Sequence, residues 1–328
     1  MKLVTFSQGD DPKTGVITLS GAGLVDLQAA AQHFADEQPQ MLASTMAMLE
    51  AGEEAFDLAR DLAKESESDG NSDSIIPLSE VTLLAPVPRP RSIRDCLAFE
   101  RHLIQATRTI ASWKAPTLVF LDRGMERLFG KGFLRPPPVW YERPIYYKGN
   151  SNSVVGDEAD VRWPSFSKRL DFELEFGIFI GKEGRNIPVS KVKEYIAGYS
   201  LFNDFSARDT QAEEMTGRLG PAKSKDFDTG NAIGPWLVTP DEVPDEITLR
   251  ARVNGEEWSC GSSSEMHFSF AEIIEYISRD ETLCPGDFIG SGTVPGGCGL
   301  ELDRWLQPGD TVELEAEPLG ILRNRVVV

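Results

Sequence analysis

Residues 171–180 read Asp171-Phe172-Glu173-Leu174-Glu175-Phe176-Gly177-Ile178-Phe179-Ile180. The even positions are apolar, and the odd positions from 171 to 175 are acidic. Alternation with period two belongs to a β-strand, whose successive side chains point to opposite faces. Glu173 and Glu175 then share a face, about 7 Å apart, and repel each other unless a cation sits between them. Oxygen ligands favour Mg²⁺, Ca²⁺ or Mn²⁺ over zinc. A solvated strand face is the plain alternative, and the chain supplies a comparison: Glu313, Glu315 and Glu317 repeat the same spacing.

Working outward, the next informative stretch is Asn203-Asp204-Phe205-Ser206-Ala207-Arg208-Asp209-Thr210-Gln211. If a strand ends near Asp204 and a helix starts there, Asp204, Arg208 and Gln211 fall at i, i+4 and i+7 on one face. Asp204 then completes a three-carboxylate site with Glu173 and Glu175, and Arg208 and Gln211 face the ligand. An N-cap Asp with an i,i+4 ion pair explains the same spacing without a ligand. Further on, Lys225-Asp226-Phe227-Asp228-Thr229 places a lysine beside a turn, ordinarily a surface position. Upstream, residues 92–112 are read as a helix carrying Asp95, Phe99 and His102 at i, i+4 and i+7. Of the histidines His33, His102 and His267, His102 shares a face with a carboxylate and is the best candidate general base.

The rest of the chain frames these motifs. KLVTF and GVITL read as short strands around a DDPKTG turn, residues 24–64 as helical, and ESESDGNSDS (65–74) as an exposed linker. A domain boundary is expected near residue 84, giving a small N-terminal α+β domain (1–84) and a catalytic domain (85–328). Beyond residue 144, DFELEFGIFIG, ITLRARVNG, DFIGSGTV and DTVELEAEPL read as strands, with FSFAEIIEYISR as a helix. The expected fold is mainly β (α+β), barrel-like or sandwich-like.

A chain of 328 residues with 41% apolar content buries a sizeable core. Its net charge of −19 makes nucleic acid and anionic membrane surfaces poor partners. An anionic substrate therefore needs local help from a metal, Arg or Lys. Cys96, Cys260, Cys284 and Cys298 are scattered without a CxxC, as reduced thiols of a cytoplasmic protein are. No apolar run reaches the length of a membrane span.

Taken together, these motifs resemble the fumarylacetoacetate hydrolase family across roughly residues 85–328. The family's paired glutamates match Glu173 and Glu175, and its third metal carboxylate matches Asp204. Its substrate-contacting Arg and Gln match Arg208 and Gln211, and its metal-proximal lysine and threonine match Lys225 and Thr229. The family's Asp seven residues before a catalytic His matches Asp95 and His102, which makes Asp95 a further metal candidate. Tyr147 matches the Tyr-x-Gly tyrosine, Thr293 lies in the late Ser-Gly-Thr segment, and Glu301 matches the glutamate that orients the catalytic His. Leu97, Ala111 and Met215 stand where the fumarylacetoacetases carry two tyrosines and an arginine that grip the distal part of the substrate. The resemblance implies a fumarylacetoacetase-like fold, a divalent metal (Mg²⁺ first), a homodimer and a small acidic substrate. The implied chemistry is hydrolysis of a C–C bond in a β-diketo acid. The alternatives are decarboxylation of an oxaloacetate-like acid, dehydration or hydration of a sugar keto acid, and non-catalytic metal-dependent binding.

Overall fold

A computed structural model describes residues 1–9, 11–35, 39–69 and 73–328. Residue 10 of the DDPKTG turn and residues 70–72 of the expected linker lie outside them. The chain opens with β1 (Lys2–Ser7), β2 (Lys13–Ile17) and β3 (Gly23–Asp26), an antiparallel meander. Helices α1 (Leu27–Ala35), α2 (Thr45–Ala51) and α3 (Glu53–Asp69) follow, then β4 (Ile75–Pro77) and β5 (Thr82–Leu84). Two expectations are corrected here. Residues 24–26 are strand, because they pair with β2, and the linker's first residues, 65–69, are the last turn of α3.

Next come β6 (Ser92–Cys96), α4 (Glu100–Lys114), α5 (Pro116–Phe129), α6 (Pro138–Glu142), β7 (Tyr146–Gly149), β8 (Val154–Val155) and β9 (Asp160–Arg162). The expected helix over 92–112 is thus a strand and a helix joined by a short turn. Beyond them lie β10 (Leu170–Asp171), β11 (Leu174–Ile180), β12 (Ile196–Asp204), β13 (Ser206–Ala207), α7 (Arg208–Glu214) and β14 (Asn231–Val238). The helix expected to start at Asp204 starts at Arg208, so Asp204 sits at a strand end instead of sharing a helix face with Arg208 and Gln211. The chain closes with β15 (Thr248–Val253), β16 (Glu256–Ser262), α8 (Phe270–Ile277), β17 (Asp287–Gly290), α9 (Gly299–Leu302), β18 (Thr311–Ala316) and β19 (Gly320–Val327).

The architecture is α+β and built on mixed sheets. The large sheet runs β4-β3-β2-β1-β14-β12-β11-β17-β6-β7, with β17 and β6 parallel, and the smaller runs β16-β15-β18-β19-β9. The N-terminal meander joins the large sheet where Lys2 and Leu3 pair with Val238 and Leu237. Strand β11 is covered on both faces. Leu174, Phe176 and Ile178 pack in one apolar cluster with Leu249, Leu314 and Leu322 of the smaller sheet. Phe179 packs in a second cluster with Leu27, Leu49 and Phe56 of the N-terminal helices. Every residue of β11 is therefore buried, and any charge on this strand is a charge in the core.

Candidate metal centre and its general base

Buried charge is costly unless it is paired or coordinated, and this core holds a dense group. Asp95 on β6, Glu175 on β11 and Asp204 at the end of β12 each turn a carboxylate oxygen to within 4.8 Å of the others. All three are essentially solvent-free. The parallel pairing of β17 with β6 places Gly290 beside Asp95. Just past that pair, the Gly292 N–H donates to Asp95 Oδ1 (3.2 Å) and to Glu175 Oε2 (3.1 Å). Gly292 has φ of +80°, and a Cβ there would meet the Cys96 carbonyl oxygen at 2.2 Å, so the position requires glycine. Thr293 Oγ1 donates to Glu175 Oε1 at 3.1 Å.

The Asp95 and Glu175 carboxyls also hydrogen-bond to each other, which demands a proton between them when no cation is bound. Burial is the main cause that pushes Asp95 up to about 6 and Asp204 up to about 8, with neighbouring carboxylates adding and Lys225 opposing. Burial and the charge of Asp95 lift Glu175 well above the usual carboxylate range. Asp204 Oδ2 accepts from Tyr147 Oη (2.6 Å) and Lys225 Nζ (2.5 Å). Its other oxygen, Oδ1, is buried without a hydrogen bond among the described residues. An unpartnered buried carboxylate oxygen facing two further acids is the signature of a cation ligand set. Its all-oxygen donors suit a hard divalent ion.

Glu173 is placed differently from Glu175. It precedes β11 in an isolated bridge to Cys298. Its carboxylate lies 2.6 Å from Lys225 Nζ and 2.8 Å from Arg208 Nη2. Burial would raise its pKa, but the Lys225 and Arg208 charges win and hold it well below the ordinary range. Lys225, itself buried, bridges Glu173 and Asp204 and is held protonated by them. Arg208 Nε donates to Asp171 Oδ2 (2.8 Å) and its Nη1 to Gln211 Oε1 (2.9 Å). The Thr229 hydroxyl, by contrast, accepts the Arg162 amide at 2.8 Å.

The candidate general base, His102, sits on α4. His102 Nδ1 lies 2.7 Å from Glu301 Oε1, and Glu301 Oε2 accepts the Gly296 N–H at 2.9 Å. Nδ1 is thereby engaged, and Nε2 is the imidazole nitrogen that does not face Glu301. Burial alone would lower the His102 pKa; the Glu301 carboxylate beside it more than offsets that and raises it. Asp171, to which sequence reasoning gave no role, is fully buried. Besides Arg208 it accepts the Gly299 and Leu300 amides at 2.7 and 3.0 Å, at the start of the α9 turn that carries Glu301. Its only sequence signal is the third acid in the 171-173-175 register. Of the departures, Leu97 is half-buried, with its carbonyl accepting Trp140 Nε1, Ala111 is half-buried on α4, and Met215 is exposed.

The sequence profile of the fumarylacetoacetate (FAA) hydrolase C-terminal family matches residues 124–327. This chain belongs to the fumarylacetoacetate hydrolase family. A mitochondrial oxaloacetate tautomerase of Rattus norvegicus is 32% identical over 333 residues, covering 100% of this chain and 92% of that protein. The corresponding Homo sapiens protein is 32% identical over 335 residues with the same coverage. Among solved structures, a fumarylacetoacetate hydrolase from psychrophilic Exiguobacterium antarcticum superposes with a TM-score of 0.72 at 25% identity, covering 100% of this chain and 99% of that one. A maleylpyruvate hydrolase from Sphingobium sp. SYK-6 shares the fold, with a TM-score of 0.69 at 22% identity over 100% of this chain and 99% of that chain. The family holds hydrolases, isomerases and tautomerases, and its members generally use a divalent metal. Among the described residues no helix is long and apolar enough to cross a membrane.

Proposed function

We propose that this fumarylacetoacetate hydrolase family member is a divalent-metal enzyme, Mg²⁺ first, that moves a proton at the carbon flanked by the two carbonyl groups of a small oxaloacetate-type 2-oxo acid. The observation that carries the reading is the juxtaposition of a buried oxygen ligand set with one neutralisable base. Asp95, Glu175 and Asp204 would hold the cation, which supplies Lewis-acid stabilisation of enolate charge. Glu173 stays with Lys225 and Arg208 and keeps both cations in place. Arg208 and Gln211 orient the substrate carboxylate, and the pinned Lys225 ammonium adds positive charge where the enolate develops. His102, held by Glu301 through Nδ1, takes the C–H proton on Nε2 and returns it to carbon or oxygen. The oxaloacetate tautomerase names of the full-length relatives support this substrate class.

A second reading is hydrolysis of a β-diketo acid, favoured by the His102–Glu301 pair, which is equally able to take a proton from water. In that case the C–C bond breaks and the leaving enolate is stabilised by the same groups. The scattered cysteines, none of them disulfide-bonded, support a reducing compartment for either activity. The experiment is to follow enol-oxaloacetate decay by ultraviolet absorbance with Mg²⁺ or chelator present, and acylpyruvate cleavage by proton NMR. Accelerated, Mg²⁺-dependent enol decay with intact acylpyruvate supports the tautomerase. Cleavage to pyruvate and a carboxylic acid supports the hydrolase instead, and neither activity would sink both readings.

A further inference from the structure

Beside His102 lies a thiol that the proton-transfer chemistry does not use. Cys298 stands just before the α9 turn, fully buried, with Ala106 of α4 and Leu300 around it. Its Sγ lies 3.6 Å from Glu301 Oε1, the same oxygen that faces His102 Nδ1 at 2.7 Å. An imidazole nitrogen, a thiol sulfur and a carboxylate oxygen thus converge, all within 4.8 Å of one another. A buried cysteine is ordinarily a small apolar filler, and the packing against Ala106 fits that. A filler has no need to turn its sulfur onto the carboxylate that holds the histidine.

This donor set differs in kind from the all-oxygen group of Asp95, Glu175 and Asp204, and shares no residue with it. Thiolate and imidazole select Zn²⁺ or a similar ion over Mg²⁺. Zinc bonds of about 2.0–2.3 Å set tetrahedral ligand–ligand separations of about 3.3–3.6 Å. The Sγ–Oε1 distance of 3.6 Å already has that value, and the Nδ1–Oε1 distance has to open by only about 0.6 Å. One thiolate and one carboxylate carry two negative charges, which neutralise a divalent ion in a buried place. The nearby Arg208 guanidinium is already paired with Asp171 and Glu173. Glu301 also lines a cavity of about 430 Å³ between α4 and α5, together with Thr109, Ser112 and Asp303, which gives an ion a way in.

We propose that His102, Cys298 and Glu301 form a second, inhibitory metal site, taken by Zn²⁺ or a similar thiophilic divalent ion with water as the fourth ligand. The ion takes the Nδ1 lone pair, so the imidazole proton moves from Nδ1 to Nε2. The thiol releases its proton to solvent, and a sulfur–zinc bond takes its place. Burial pushes that thiol well above its usual range, so the ion displaces a firmly held proton. Nε2 then carries a hydrogen and has no lone pair to accept one from carbon. The base is switched off while the Mg²⁺ ligands are untouched. The loss of activity rests on His102 being the base, as proposed above; the binding does not.

The test is titration of the whole chain, saturated with Mg²⁺, with Co²⁺ as a spectroscopic probe. One equivalent is expected to give a thiolate-to-cobalt charge-transfer band in the near ultraviolet, which Zn²⁺ then displaces. Oxygen ligands alone give no such band. Cys298→Ala is expected to lose the band with Mg²⁺ affinity by calorimetry unchanged. Cys298→Ser, closer in volume, is the second variant should alanine disturb the fold. In the enol-oxaloacetate assay with Mg²⁺ in excess, Zn²⁺ is expected to inhibit the wild type, and the variants to need at least about tenfold more. Absence of the band overturns the proposal, as does a band that survives both variants, or equal Zn²⁺ sensitivity of wild type and variants. If the chain turns over neither substrate, the band still decides whether the site exists, so the two readings fail separately.

Discussion

Asp171 joins the two working halves of the site. One carboxylate oxygen holds the Arg208 guanidinium, and both oxygens receive the amides that open the turn carrying Glu301. Breaking a buried charge pair by removing one partner costs about 3–5 kcal/mol. Asp171→Ala is therefore expected to lose stability of that order by urea unfolding. Asp171→Asn keeps the shape and is expected to raise KM, through Arg208, as well as lowering kcat through Glu301. A change in stability alone would reduce Asp171 to a structural role. His102 makes the complementary case. A general base contributes about 10²–10⁴-fold, and His102→Ala should cost that much in kcat while Mg²⁺ affinity by calorimetry stays near wild type. Near-normal kcat would move proton transfer to another group.

At the scale of elements, the chemistry was more legible than the geometry that delivers it. The E-x-E spacing of Glu173 and Glu175 recurs at Glu313 and Glu315, and sequence alone could not separate the two. On β18 the burial alternates, so Glu313 and Glu315 lie on the half-buried face and pair with Arg323 and Arg252 of neighbouring strands. Around β11 no face is solvated, so the same spacing becomes a buried charge problem. What distinguishes them is long-range, namely which layers cover the strand. The Asp95/His102 spacing matched one helix face, yet Asp95 is on β6 and His102 on α4. Pairing with β17 outcompeted the local helix signal, a tertiary override of propensity, and the turn at residues 97–99 brings the two to one site anyway. The Gly292 turn was legible only as part of a Ser-Gly-Thr match. Gly292→Ala should cost about 1–3 kcal/mol in strain and weaken Mg²⁺ binding, read by urea unfolding in chelator and by titration calorimetry. Unaltered Mg²⁺ affinity would mean that the turn does not set the ligand geometry.

Across the whole molecule, the net charge of −19 and the buried acids make stability depend on pH and on cation together. In chelator, Asp95 and Asp204 have pKa values raised to about 6 and about 8, above those of an unfolded chain. The folded state then binds more protons than the unfolded one, so stability present below about pH 4 is lost as pH rises through 6 and 8. The melting temperature in chelator should therefore fall between pH 5 and pH 8. Mg²⁺ should reverse this, because a cation replaces the protons and its binding strengthens as the ligands ionise. At a hundredfold excess over Kd the gain is about 2.7 kcal/mol. General self-repulsion of an acidic chain also falls at low pH, so the local effect needs a control that removes one charge elsewhere. Glu315→Gln does so at a half-buried pair on the smaller sheet, whereas Asp204→Asn removes the group that titrates near 8. Asp204→Asn should flatten the chelator profile above pH 6 and abolish the Mg²⁺ gain, and Glu315→Gln should do neither. If the two variants behave alike, the pH dependence belongs to overall charge, and the carboxylate cluster is not where the cation binds.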